Sequence, residues 1–435
     1  MEKKKVIRSN FGTRGWLLIL AGFLGFFACS IIPSSSLNIL VPMFVEKFGW
    51  EASTLFVISS ISGYLSVAGT ILLAILMKKT SVRFTVVLSA IGLGVCCGLW
   101  AFVQTTTQYL ILMVLLVFFC DGVGGFGIPQ LLAHWFPRKA GLANGWATMG
   151  GDMAGSVVSW LLLGAVAIGG WYGPFFAMGA IALVAGLIVL LFVKDYPEQC
   201  GCYPDNDPTM SPEDARKIFE DSQKYLKSSP WTVKKLLCTK QVWGLGLGIG
   251  FIIMAGGGIM GQLMICLTSR GFDQTTAALM FSVLGVVAVI GSYIIGLLDD
   301  RYGTIPSTLM LCGLTVVGLV CLAIPSRFLA WPAIILCGIF VGASNNLMGS
   351  LTNRVFGRYD QQAAMAVIYP IHVLVRSSAM GFTGLMVAWT GSYTWPFLAN
   401  AVVVAIVGLV FSRMDIKCIG RTDEDIAALE AAEKK

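Results

Sequence analysis

Residues 274–303 read QTTAALMFSVLGVVAVIGSYIIGLLDDRYG. No charge occurs from Gln274 to Leu298, and a helix of that length rises further than the roughly 30 Å of a bilayer's hydrocarbon core. There is no water at that depth for the backbone N–H and C=O groups, so such a run is satisfied only as a helix. It ends on Asp299, Asp300 and Arg301, where the chain returns to water.

The pattern recurs along all 435 residues, which are 56% hydrophobic and 12% charged, with a mean hydropathy of +0.80. Soluble domains carry about twice that charge, so an aqueous globular fold is excluded. Twelve spans are expected, near 16–43, 52–76, 83–103, 108–134, 139–168, 172–193, 241–268, 274–298, 304–324, 328–353, 361–390 and 393–413. Lys3, Lys4, Lys5, Arg8 and Arg14 before the first span look like the start of a signal peptide. The apolar run that follows is too long for one and lacks a small-residue cleavage site, so we expect the span to be retained.

An even number of spans puts both termini on one side. All of the 30 Lys and Arg except Lys47, Arg270, Arg327 and Arg376 fall on the side of the tails and the central loop, which assigns that side to the cytoplasm. The net charge of +7 thus follows from membrane orientation, and no nucleic-acid partner is implied. The twelve cysteines are scattered, most of them within spans, where thiols pack as small hydrophobes. Cys200-Gly201-Cys202 lies in a cytoplasmic loop, where neither a disulfide nor a metal site is expected from one CxC.

The charged stretch 194–240 divides the spans six and six. The expected organisation is a bundle at 1–193, a cytoplasmic linker at 194–240, a second bundle at 241–413 and a cytoplasmic tail at 414–435. In the linker, Ser211-Pro212-Glu213-Asp214 reads as a helix start, with Ser211 as cap and the acids facing the positive helix end. The halves match locally at an offset of about 220 residues. Phe48-Gly49-Trp50-Glu51 corresponds to Arg270-Gly271-Phe272-Asp273, and His134-Trp135-Phe136-Pro137-Arg138 to the region of Asn353, Arg354, Phe356 and Arg358. Two six-span repeats are the economical explanation.

Gly296, Asp300, Arg301 and Gly303, in the loop after the eighth span, match the G-x-x-x-D-R-x-G signature of the major facilitator superfamily, which the chain resembles. The resemblance implies an all-α polytopic fold of twelve transmembrane helices in two pseudo-symmetric six-helix bundles. It also implies a cytoplasmic gate in which Asp300 and Arg301 take part. The first-half copy of the signature has Lys78 where the acid should stand.

Lys47-Phe48-Gly49-Trp50, the run His134 to Gly145, and Pro197-Glu198 with Pro204-Asp205 together resemble the monocarboxylate and oxalate:formate branch. That resemblance implies organic anions moved with a proton or in exchange, by a transporter of the cytoplasmic membrane. It also implies basic residues in spans eight and eleven. Span eight has none, which favours a monocarboxylate or amphipathic acid with one anionic end over a dicarboxylate.

Span eleven contains Arg376. A guanidinium near the middle of a bilayer costs about 3 kcal/mol even on lenient scales, so it should face a cavity, a partner or an anion. His372 lies one turn before it and Tyr369 three residues before His372, on one helix face. Arg offers a bidentate fork to a carboxylate, and His and Tyr add donors. Asp121 and Asp152, at mid-span, are candidates for proton coupling, since desolvation raises a carboxyl pKa toward neutrality. Ser35 and Asn38 in span one, Gln262 in span seven, and Asn345 and Asn346 in span ten are candidates to complete the cavity, the alternative being polar contacts between helices. Pro33 and Pro370 are placed to bend their spans.

No phosphate loop, nucleophile motif or zinc spacing occurs, so neither an enzyme nor a cofactor is expected. The expected partners are a small organic anion, a proton or counter-anion, and membrane lipid, with the chain acting as a monomer. Two rivals are a proton-coupled exporter of cationic or amphipathic compounds and a non-transporting anion sensor.

Overall fold

The computed structural model describes residues 10–137, 139–209, 211, 213–214, 229–414 and 417–421. Among these, eleven stretches are long and apolar enough to cross a membrane, and one of them, Leu142–Phe192, holds two helices. The result is twelve spans.

Span one runs Gly12–Ser30, a π-helical turn Ile31–Ser35, then Leu37–Phe48. Spans two and three are Ala52–Lys79 and Val82–Trp100. Span four is Thr106–Cys120, a π turn Asp121–Gly127 and Ile128–Trp135. Spans five and six are Ala140–Gly169 and Gly173–Phe192. A short helix, Val233–Leu237, precedes span seven, Lys240–Ser269. Spans eight and nine are Gln274–Tyr302 and Thr304–Ala323. Spans ten and eleven form one helical run, Arg327–Ser377, broken at Gly357 (φ 65°, ψ 173°). Span eleven continues as Ala379–Thr390, and span twelve is Thr394–Arg413.

Local chemistry sets these boundaries. Ser81, Thr105 and Asp273 each accept the backbone N–H three residues on, at 3.1, 3.2 and 2.9 Å, and so satisfy donors that a helix start leaves without partners. Gly49 and Gly271, paired by the repeat, both adopt left-handed φ, +70° and +83°, where a side chain would be strained. In the linker, the Asp214 amide donates to Ser211 Oγ (3.0 Å) and the Ser211 amide to Asp214 Oδ2 (3.4 Å), a capping box. Residues 215–228, over which that helix was expected to continue, lie outside the described residues.

The chain forms two compact units, Met1–Met43 with Leu65–Asp221, and Phe44–Tyr64 with Ser222–Lys435. The N-terminal half of span two therefore belongs to the second unit. In the first unit span one packs on span five and span three on span six; in the second, span nine packs on span twelve, and Gly246 and Gly250 of span seven meet Ile371 and Val375 of span eleven. The pairing follows the repeat.

Each unit carries a folded extension outside its spans. In the first, the turns Pro197–Cys200 and Pro204–Asn206 fold under the bundle. Arg14 Nη1 donates to the Cys200 carbonyl at 2.7 Å, and Lys139 Nζ to the Asp205 carbonyl at 2.7 Å. None of the twelve cysteines is in a disulfide. In the second unit, fully buried Asp360 accepts hydrogen bonds from Ser229 Oγ (2.7 Å), the Arg421 amide (2.8 Å) and Arg421 Nε (3.0 Å). Arg421 Nη2 lies 2.8 Å from Asp360 Oδ1. The linker, the turn between spans ten and eleven, and the tail are thus joined at one carboxylate.

Candidate functional site

Span seven has small residues on the face it turns to span eleven. A Cβ built on Gly246 would lie 2.8 Å from Ile371 Cγ2, on Gly250 2.7 Å from Val375 Cβ, and on Gly258 2.7 Å from Thr383 Oγ1. Backbones this close need glycine, and the contact fixes the depth and rotation of the helix that carries Tyr369, His372 and Arg376.

Arg376 sits midway along the apolar stretch Ala363–Thr390, about 20 Å of helix from either end. It is half-buried. Among the described residues it has no hydrogen-bond or ion-pair partner. His372 is 3% exposed, with Nδ1 3.1 Å from the Tyr369 carbonyl. A carbonyl only accepts, so that bond requires a proton on Nδ1. The Tyr369 and His372 rings meet edge to face, with centroids 5.2 Å apart. The i, i+3 pair expected on one helix face is therefore in contact.

Gln262 is fully buried on span seven; Nε2 donates to the Met380 carbonyl at 3.0 Å, while Oε1 is buried without a partner among the described residues. Ser35 Oγ, in the π turn of span one, is likewise buried without a partner. Asn38 is 4% exposed and donates to the Ser35 carbonyl at 3.2 Å. Unsatisfied buried polar atoms are uncommon and each calls for an explanation such as water or a ligand.

In the first unit Asp121 is half-buried at the start of the span-four π turn. Cys29, just before the π turn of span one, donates its Sγ–H to the Cys120 carbonyl at 3.3 Å. A Cβ on Gly124 would lie 3.2 Å from Cys29 Sγ, and one on Gly151 of span five 2.9 Å from Ser30 Oγ. The irregular segments of spans one and four thus adjoin each other and span five. Such π turns recur at functional sites. Arg301 is exposed, with its guanidinium carbon 5.4 Å from the Tyr302 ring centroid. The side chains of Asp152, Asp300, Asn345 and Asn346 lie outside the described set.

The helix passes through Pro370, and at Ser378, between Arg327–Ser377 and Ala379–Thr390, the backbone stays helical (φ −68°, ψ −18°) while the regular hydrogen-bond ladder is interrupted, the Ser378 amide donating to the Val375 carbonyl at 3.1 Å. Around the interruption, Ser60 Oγ accepts the Gly381 amide at 2.8 Å and Tyr64 Oη lies 2.7 Å from Ser378 Oγ. These two residues of span two were not anticipated, because a hydroxyl in an apolar helix ordinarily bonds its own backbone. Ser59 and Ser62 do so, donating to the Leu55 and Ile58 carbonyls.

The sequence model of the Major Facilitator Superfamily matches residues 122–377, more than half of the chain. Monocarboxylate transporter 12-B of Danio rerio is 24% identical over 97% of this chain and 92% of its own length. A probable sulfoacetate transporter of Cupriavidus necator is 24% identical over 86% and 88%, and a putative tartrate transporter of Agrobacterium vitis 25% over 79% and 78%. Among solved structures, the inward-open xylose transporter XylE of E. coli superposes with a TM-score of 0.72 at 12% identity, over 95% of this chain and 99% of that one. A bacterial homologue of the human lysosomal transporter Spinster gives 0.68 at 16%, over 92% and 96%.

Proposed function

The chain belongs to the Major Facilitator Superfamily and is a multi-pass membrane transporter; from that premise we propose that it carries an organic anion of monocarboxylate type across the cytoplasmic membrane by alternating access. The observation that carries this reading is Arg376: a half-buried guanidinium midway along an apolar span, with no protein partner among the described residues. A charge kept there at a cost of about 3 kcal/mol is best offset by an anion that comes and goes. The relatives named for monocarboxylate, sulfoacetate and tartrate transport support the same class of cargo.

In this reading the carboxylate docks on the Arg376 fork, with His372 and Tyr369 beside it. Gln262 and Ser35 offer buried polar atoms that lack partners among the described residues, and Asn38, Asn345 and Asn346 complete the polar lining. Asp121 and Asp152 carry the coupled proton; exchange for a second anion is the competing mode. Asp300 and Arg301 act at the cytoplasmic gate, with both termini on that side. No cofactor enters the scheme.

The test is uptake and counterflow in proteoliposomes with labelled lactate, sulfoacetate and tartrate, comparing the wild type with Arg376→Ala. Losing one side of a desolvated charge pair costs roughly 2–5 kcal/mol, so KM should rise at least about thirtyfold. Uptake of organic cations, or anion uptake unchanged in the variant, would reject the anion-site reading and favour the exporter. Asp121→Asn should abolish uptake driven by a pH gradient and spare anion exchange; loss of both would place Asp121 outside proton coupling.

A further inference from the structure

Lys224, Lys227, Lys234, Lys235 and Lys240 stand immediately before span seven, and no acid occurs between Asp221 and Asp273. A run of cations at the end of a membrane span attracts anionic headgroups, each ammonium adding to the pull of the charged leaflet.

The described part of this segment is folded against the spans of the second unit. Thr232 Oγ1 accepts the Lys235 amide at 3.3 Å and caps the short helix Val233–Leu237. Leu236 is buried, and the helix packs on span seven and on the run Arg327–Ser377. Trp243 of span seven donates its Nε1–H to the Leu237 carbonyl at 2.7 Å, which pins the short helix to the start of the span. Lys235 Nζ lies 4.4 Å from the Trp231 ring centroid, and that ring meets Phe356 edge on, so packing sets the position of this ammonium.

What this arrangement turns outward is apolar. Val233 and Leu237, one helical turn apart, are 61% and 43% exposed. Trp243 and Leu247 are 44% and 38% exposed, and with exposed Lys240 they fall at i, i+3 and i+7 on one face of span seven. The bond from Trp243 to the Leu237 carbonyl joins the two stripes. An apolar strip that starts at the end of a span, carries an indole there and is bordered by ammonium groups has the make-up of a surface resting in the headgroup layer. A zwitterionic lipid would cover the strip but leave the cations without a counter-charge.

We propose that residues 233–247 form a docking surface for an anionic phospholipid of the leaflet on the linker's side, with the headgroup phosphate against Lys234, Lys235 and Lys240 and an acyl chain along Val233, Leu237, Trp243 and Leu247. Ser229 and Trp231, just upstream, reach Asp360 and Phe356. The lipid therefore also pins the end of the linker that clasps the turn between spans ten and eleven.

The experiment titrates short-chain phosphatidylglycerol or phosphatidylcholine onto the purified full-length chain in a nonionic detergent and counts retained lipid by native mass spectrometry. The wild type should prefer phosphatidylglycerol by at least about tenfold, since one lysine beside an anionic headgroup is worth a factor of about five, and the preference should fall as salt is added. The triple variant Lys234→Gln/Lys235→Gln/Lys240→Gln should lose it, whereas Lys47→Gln/Lys79→Gln/Lys194→Gln, which removes three exposed lysines elsewhere, should keep it. Equal retention of the two lipids by the wild type, a preference within about twofold of wild type in the first variant, or an equal loss in the second overturns the proposal. Competition by millimolar inorganic phosphate would assign the lysines to a soluble anion and overturns it too. Should the first variant fail to fold, Val233→Ser/Leu237→Ser decides: it keeps every lysine and should bind phosphatidylglycerol about threefold more weakly, and unchanged binding overturns the proposal.

Discussion

Replacing Asp360 with alanine removes a fully buried carboxylate that Ser229 and Arg421 approach from two other segments of the chain. Charge-assisted hydrogen bonds contribute about 1.5–3 kcal/mol each before desolvation is counted, and burying both charges offsets much of that sum. What remains is the cost of breaking the pair from one side. Arg421 is only 9% exposed, so Asp360→Ala strands a guanidinium, for about 3–5 kcal/mol. Arg421→Met strands the carboxylate and should cost a similar amount. Asp360→Leu with Arg421→Met strands neither, so the double variant should be less destabilised than the sum of the singles by about 2 kcal/mol or more. Denaturant unfolding of the purified protein in mixed micelles measures this. Trp231 provides a local probe, because its ring meets Phe356 edge on at 5.2 Å. Additive effects, or single variants within about 0.5 kcal/mol of the wild type, would refute the view that the tail is locked to the spans at this carboxylate.

Arg376→Lys keeps the charge but loses the fork; we expect transport to persist with KM raised about tenfold, measured against Arg376→Ala in the same vesicles. Gly250→Val would put a branched side chain where even a Cβ lies 2.7 Å from Val375 Cβ. Overpacking of this kind costs about 1–3 kcal/mol, which unfolding in micelles should register together with reduced uptake. Asp273 caps span eight, and its hydrogen bonds from Thr276 hold its carboxyl below the usual carboxylate range. That contribution is present above the unfolded value near pH 3.8 and is lost as pH falls through the lower folded value. Asp273→Ala should therefore lower the melting temperature at neutral pH, by an amount that shrinks as the pH drops below about 4.

The twelve spans were legible because hydropathy is a property of long segments, and errors at single residues do not change it. Gly49 and Gly271 were legible as counterparts because one turn between spans demands the same left-handed residue twice. Tyr369 and His372 were legible as neighbours because helical spacing alone brings them together. The contact between Ser60 and the Gly381 amide was not. A hydroxyl more than three hundred residues away in the chain takes the Gly381 amide, and no local pattern in span eleven announces it. Asp360 and Arg421 were equally hidden. Charges in loops between spans ordinarily stay solvated, and nothing in their spacing of 61 residues announces a buried pair.

The π turn Asp121–Gly127 has an evolutionary consequence. A π turn accommodates one residue more than an α-helix of the same rise, so it is the trace that an insertion leaves when the packing above and below must keep its register. The helices on either side, Thr106–Cys120 and Ile128–Trp135, keep their buried faces. Deleting one glycine from the turn is thus the mildest way to lose Asp121's setting without losing the bundle. In an alignment of relatives, those that have given up the acid at this depth should show a single-residue gap within 121–127, with no compensating change elsewhere in the span.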